Sequence, residues 1–220
     1  MLTQTPTLLA MGFGLGLLHA LDPDHVLAVA NLNDARAGRR GSLAFGARWA
    51  LGHGAALMGI GALVLLAGLA VPTGLSAWAE YLVAFVLIGL GISALWTLWA
   101  GEAPLRLHRH GANGAHLHVA GLPAQHGRRA LLVGLLHGTA GSASLLALAP
   151  LATAASPWIG MAYLLLFGAG VLIAMLAFGG LLGAGLQRLR HGVPSIANGL
   201  RAALALAAMA LGIALLRGGI

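Results

Sequence analysis

Cysteine and lysine are both missing from the 220 residues. Without cysteine there can be no disulfide, no thiolate nucleophile and no thiolate metal site. Acids are scarce too, only Asp22, Asp24, Asp34, Glu80 and Glu102, and charged residues total 8%. A soluble domain carries about 25%, so this chain could not cover a water-facing surface with charge. What it has instead is 59% hydrophobic residues, 34 glycines and a mean hydropathy of +0.90. That balance predicts a polytopic membrane protein. Twelve arginines against five acids give a pI near 11.7. In a soluble chain this would suggest nucleic acid; here the arginines read as orientation signals and no nucleic-acid partner is expected. Ten histidines, twice the number of acids, remain to be explained.

A membrane-crossing helix needs roughly 20 mainly apolar residues. Six segments qualify, at about 6–30, 42–70, 76–100, 129–155, 158–187 and 194–217, so the expected fold is all-α with six transmembrane helices. The first is broken at Asp22-Pro23-Asp24. It lacks the positive n-region and cleavage site of a signal peptide, and is expected to stay in the mature protein. Arg36, Arg39, Arg40 and Arg48 follow the first span; Arg106, Arg109, Arg128 and Arg129 flank the third and fourth; Arg188, Arg190 and Arg201 lie between the fifth and sixth. All fall on one side, with Arg217 alone on the other. The positive-inside rule makes that side cytoplasmic, which predicts a multi-pass protein of the cytoplasmic (inner) membrane with both termini outside.

Gly16-Leu17-Leu18-His19-Ala20 recurs as Gly134-Leu135-Leu136-His137-Gly138. Each copy lies in the first span of a three-span half, and an odd number of spans per half forces the second to insert inverted. The expected organisation is a first three-helix repeat at 1–101, a His-rich cytoplasmic loop at 102–128 and a second repeat at 129–220. Inverted repeats with interrupted helices point to a transport site at the repeat interface.

The densest chemistry is His19-Ala20-Leu21-Asp22-Pro23-Asp24-His25, at the end of an apolar run. Ionisable groups at membrane depth are costly and face a cavity, a partner or an ion. On a regular helix, residues five and six positions on from His19 lie about 140° and 240° around the axis, so His19, Asp24 and His25 cannot converge. Pro23 supplies the break, because it lacks an N–H and its ring clashes with the carbonyl of His19. An unwound turn can gather two imidazoles and a carboxylate, a donor set suited to nickel, cobalt or zinc. Asp22 reads as a group that orients an imidazole rather than a ligand. The bland alternative is a loop in which Asp22 and Asp24 cap the next helix.

His53, between Gly52 and Gly54, and His137, the repeat partner of His19, also lie within apolar spans. Either is a ligand of the same site or a structural histidine bonded to a neighbouring helix. Thr139, Ser142 and Ser144 read as packing hydroxyls, with Thr139 close enough in sequence to support His137. His108, His110, His116, His118 and His126 share the loop, which is either an auxiliary metal-binding tract or a solvated linker. His191 reads as an interfacial residue without a specific task.

His19-x4-Asp24-His25, followed by Leu51-Gly52-His53, resembles the signature of the nickel/cobalt transporter family. The resemblance implies a secondary transition-metal permease in which His19, Asp24, His25 and His53 bind the ion, with Asp22 and Asn31 as further group members. The larger permeases usually have eight spans and an acidic motif near residues 129–155. This chain has room for six and reads His137-Gly138-Thr139-Ala140-Gly141-Ser142 there. That segment is more similar to the short membrane proteins known as urease or hydrogenase accessory proteins. Nickel or cobalt uptake, as a transported ion with no prosthetic group, is the leading expectation. No phosphate-cradling loop with lysine is present, so this chain is not expected to hydrolyse ATP. A metal-binding accessory or sensor protein and a metal exporter are the alternatives. An intramembrane metalloenzyme ranks behind them, since no His-Glu-x-x-His pair occurs, and the chain is not expected to be an enzyme. Its expected partners are the bilayer, the ion and, as a candidate, a cytoplasmic metallochaperone; the sequence fixes no oligomeric state.

Overall fold

In a computed structural model, residues 4–32, 38–68, 73–100, 106–109, 115–118, 123–140 and 154–218 are described. The helices are α1 (Gln4–His19), α2 (Pro23–Leu32), α3 (Gly38–Leu65), α4 (Thr73–Trp99), α5 (Pro123–Thr139), α6 (Pro157–Gly192) and α7 (Pro194–Leu216). Among the described residues, four helices are long and apolar enough to cross a membrane: those of α3, α4, α6 and α7. The shorter apolar α1 joins them, and the protein is an integral membrane protein. The expected fourth span begins as α5, and its continuation over 141–153 lies outside the described residues.

Prolines and a serine set the helix ends. Ser156 caps α6, its Oγ accepting from the Ile159 N–H at 3.3 Å, with Pro157 in the first turn. Pro194 opens α7 directly after Val193, which sits at φ −139° and terminates α6. This follows from the bias against helical geometry in the residue before proline. Exposed Trp78, Tyr81, Leu82 and Phe85 near one end of α4, with Trp96 and Trp99 at the other, suit a lipid-facing helix with aromatic anchors.

One element departs from the all-helical expectation. Within the loop read as a linker, β1 (Arg106–Arg109) and β2 (Ala115–His118) pair antiparallel, with His108 opposite His116 and Arg106 opposite His118. The intervening residues lie outside the described set.

Helix pairing follows a pattern. α1 packs on α6, α3 on α5 and on α6, and α4 on α7, while the short α2 lies against α7 and α4. Glycines let the backbones meet. A Cβ at Gly16 would strike the Phe167 carbonyl, and one at Gly134 would strike the Trp49 carbonyl. Likewise Gly52 meets the Leu131 carbonyl and Leu135 N–H, and Gly170 the Phe13 carbonyl and Leu17 N–H. These contacts map onto one another by a constant shift of 118 residues: 16 to 134, 13 to 131, 17 to 135, 49 to 167 and 52 to 170. A second pair, Gly91 on the Ala205 carbonyl and Gly212 on the Ala84 carbonyl, repeats with a shift of 121. The same backbone crossing is therefore built twice from different stretches of chain. Trp49 and Phe167, the carbonyl partners in these crossings, share one buried cluster with Ala20, Leu57, Val171 and Met175.

Candidate metal centre

The break around Pro23 determines where the first two histidines point. α1 ends at His19, and the chain turns through Leu21 N–H to Leu18 O at 2.9 Å and Asp22 N–H to His19 O at 3.0 Å. The Asp22 carbonyl then accepts from Val26 N–H at 3.0 Å and starts α2, with Pro23 at its first position, where a missing N–H costs nothing. The carboxylates of this segment serve imidazoles. His19 Nδ1 donates to Asp22 Oδ2 at 2.8 Å, and His25 Nδ1 donates to Asp24 Oδ1 at 2.9 Å.

Two further imidazoles arrive from other helices. His53, in the middle of α3, brings its Nε2 to 3.2 Å from His19 Nε2. His137, near the end of α5, donates from Nδ1 to the Val133 carbonyl at 2.8 Å. Its ring centre lies 5.4 Å from that of His25. All four histidines are buried. A carboxylate or carbonyl can only accept here, so His19, His25 and His137 each hold their proton on Nδ1 and keep an Nε2 lone pair. This is the arrangement typical of metal-bound histidine, in which the other ring nitrogen is anchored by a carboxylate or a carbonyl.

The ring nitrogens are close enough to share an ion. One ligand atom each from His19, His25 and His53 lies within 4.8 Å of the others. Two nitrogens on a tetrahedral ion at ~2.05 Å stand about 3.3 Å apart, near the 3.2 Å between His19 and His53. Nε2 of His25, Nε2 of His137 and Nδ1 of His53 are buried without a hydrogen-bond partner. Each unpaired buried group costs about 1–3 kcal/mol, and several in one chamber mark a place built for a ligand. Asp22 against His19 and Asp24 against His25 supply two negative charges, matching a divalent cation.

Aromatic rings enclose the cluster. Trp49, one turn before His53 on α3, stacks on it at 5.2 Å and 10°. Its ring also meets His25 at 4.8 Å and His137 at 5.8 Å. Phe167 lies 5.3 Å from His19. Neither aromatic was singled out from the sequence. The available signals were the four-residue spacing from Trp49 to His53 and the equivalence of Phe167 to Trp49 under the internal shift.

The other residues marked from the sequence fall as follows. Asp24, expected as a ligand, accepts from His25 Nδ1 through its Oδ1 at 2.9 Å. Asn31 donates to the Leu27 carbonyl at 2.8 Å and the Leu204 carbonyl at 3.2 Å, tying α2 to α7. Thr139 bonds back to the Leu136 carbonyl at 2.8 Å, and exposed His191 donates to the Gln187 carbonyl at 2.8 Å. His108 lies in β1, His116 and His118 in β2, and His126 in α5. His110, Ser142 and Ser144 lie outside the described residues.

Comparison with known proteins agrees with a membrane assignment. The family described as "Cytochrome C biogenesis protein transmembrane region" matches residues 25–214. A urease accessory protein UreH from Bacillus sp. (strain TB-90) is 35% identical over 185 residues, covering 80% of this chain and 76% of that protein. The chain belongs to this membrane family, with UreH among its relatives. "Chloroplast protein FOR GROWTH AND FERTILITY 2" of Arabidopsis thaliana is 31% identical over 217 residues, 97% of this chain. The chain spans 57% of that relative's length. No solved structure matches. The resemblance to the short urease accessory membrane proteins therefore holds. Neither relative is named as an enzyme.

Proposed function

We propose that the chain is a secondary permease for a divalent transition metal, nickel first and cobalt second, held in transit by His19, His25, His53 and His137. The observation that carries this reading is the chamber itself. Four buried imidazoles from three separate chain segments meet there, three with Nδ1 anchored, and two of those three, His25 and His137, have an Nε2 without a protein partner. Imidazole donors suit nickel, cobalt and zinc, whereas magnesium and calcium prefer oxygen. A relative named as a urease accessory protein favours nickel handling. The family description points to cytochrome c biogenesis, but a chain with no cysteine cannot pass electrons through a thiol–disulfide pair.

In this reading the protein crosses the cytoplasmic membrane six times as two inverted three-helix repeats, 1–101 and 129–220, joined by the cytoplasmic stretch 102–128, with both termini outside. The duplicated glycine crossings support the repeats. They tie α1 to α6 and α3 to α5, and the ligands divide between those pairs: His19 and His25 beside the first, His53 and His137 on the second. An ion bound between the two pairs is positioned to be exposed to alternate sides as they rock. Inward movement of a divalent cation gains about 4.6 kcal/mol per 100 mV of membrane potential, twice the single-charge value, enough for accumulation without another coupled ion.

The test is flux into proteoliposomes containing this chain alone, comparing nickel, cobalt, zinc and manganese. Saturable nickel entry that is lost in His19→Ala and His25→Ala at equal protein content is the expected result. Equal flux through wild type and variants removes the proposal. The UreH likeness favours one second reading, an accessory protein that binds metal and passes it to a partner. Tight nickel binding without flux would select it.

A further inference from the structure

We infer that Trp49 and Phe167 are a matched pair of gates, one closing each end of the histidine chamber. The inference deepens the transport reading and rests on it. Both rings are buried, and both lie against the histidines, Trp49 on His53, His25 and His137, and Phe167 on His19. The two positions are equivalent under the 118-residue shift. Each is also the residue whose carbonyl receives the close glycine of the other half, Gly134 for Trp49 and Gly16 for Phe167.

Those glycine contacts set the level of each ring along the bundle. Gly16 precedes His19 by three residues on α1, so the Phe167 backbone lies nearly one turn, about 4.5 Å at 1.5 Å per residue, toward the N-terminal end of α1. Gly134 precedes His137 by three residues on α5, so the Trp49 backbone lies about the same distance, again by the 1.5 Å rise, toward the N-terminal end of α5. Helical side chains lean toward their own N-terminus, which carries each ring further from the histidines in its own direction. α1 and α5 correspond under the inverted repeat and run oppositely, so the two rings bracket the ligands from opposite faces. Beyond Phe167, Tyr163 continues the cover, with ring centres 6.5 Å apart. An apolar ring at each mouth keeps water from the ion while it is held, and tilting one ring aside opens one face only.

The natural absence of cysteine makes the test direct. Ala20, fully buried beside His19 in the same cluster as both rings, is changed to Cys in the full chain, reconstituted in vesicles of known orientation. Its reaction with a membrane-impermeant cationic methanethiosulfonate is then followed from each side. Ala20→Cys alone should be protected from both sides. Adding Phe167→Ala should expose it only from the face holding the N-terminus of α1, and adding Trp49→Ala only from the other, each with at least a tenfold rise in labelling rate. If a truncation to Ala lowers the melting temperature enough to lose the fold, Phe167→Leu and Trp49→Leu carry the same directional expectation. Protection that survives both truncations, or exposure of the same face by both, overturns the gates. Because labelling needs no metal, a failure of nickel flux in wild type would sink the permease reading while the gating result still stood to be read.

Discussion

Replacing Asp24 by Asn separates two roles that its position in the sequence left merged. A carboxylate in contact with the ion is a ligand, and its loss should remove binding as completely as loss of an imidazole. The structure has it 2.9 Å from His25 Nδ1, on the far side of the ring. Adding the ring's width and a metal–nitrogen distance of ~2 Å puts the carboxylate about 7 Å from the ion. A single charge facing a divalent ion at that distance is worth about 5 kcal/mol at an effective dielectric of ~20. That figure is a ceiling, since the carboxylate is 28% exposed and water screens part of it. Supporting groups behind a ligating histidine typically contribute 10–100-fold in affinity, or about 1.4–2.7 kcal/mol. Asp24→Asn should therefore weaken nickel binding by roughly 10–100-fold while leaving a saturable isotherm. Asp22→Asn, whose carboxylate is 38% exposed, should fall at the lower end. Calorimetric titration of nickel into the purified protein reads both against His25→Ala, which should show no binding over the same range. If Asp24→Asn abolishes binding like His25→Ala, the carboxylate touches the ion and the geometric reasoning is wrong. If it changes nothing, His25 needs no support and the anchored-imidazole argument fails.

Three further outcomes follow from the same structure. His53→Val installs the residue found at the equivalent place, Val171, and should keep the melting temperature within a few degrees while losing saturable nickel binding. Gly134→Ala forces a Cβ onto the Trp49 carbonyl and should destabilise the fold by about 1–3 kcal/mol through overpacking. Gly54→Ala, with open space around it, should be neutral in the same thermal melt. Deleting residues 108–126 should leave nickel flux through the core intact in proteoliposomes; loss of flux would make the loop part of the pathway.

Much of the site was legible because its chemistry conflicts with its surroundings. Histidines and aspartates within apolar sequence stand out, and Pro23 announced the turn that lets His19 and His25 converge. The repeat was visible in Gly-Leu-Leu-His, whose glycine turned out to be the backbone contact itself. What could not be read were roles that depend on a neighbour from a distant helix. Trp49 and Phe167 look like any aromatic in a membrane helix until their partners are known. Spacing also does not say which side of an imidazole a carboxylate such as Asp24 occupies. Asn31 was drawn toward the metal by proximity in sequence, yet its amide fastens α2 to α7. The strands at Arg106–Arg109 and Ala115–His118 were hidden by a composition of Gly, Ala and His that reads as linker.

The glycine crossings are duplicated, but the side chains hung on them are not. Shifting by 118 residues carries His19 to His137, while Asp22 becomes Ala140, Asp24 becomes Ser142, His25 becomes Ala143 and His53 becomes Val171. On the transport reading, a scaffold furnished identically in both halves would have two conformations related by a two-fold axis and equal in energy, and a cargo would have no preferred resting face. Here both carboxylates and three of the four imidazoles belong to one half. On that reading, the ion's contacts come chiefly from one half, so the two conformations would hold it unequally. The resting face of such a carrier would then be written into which copy of the duplication kept its ligands, while the gradient would still set the direction of net flow.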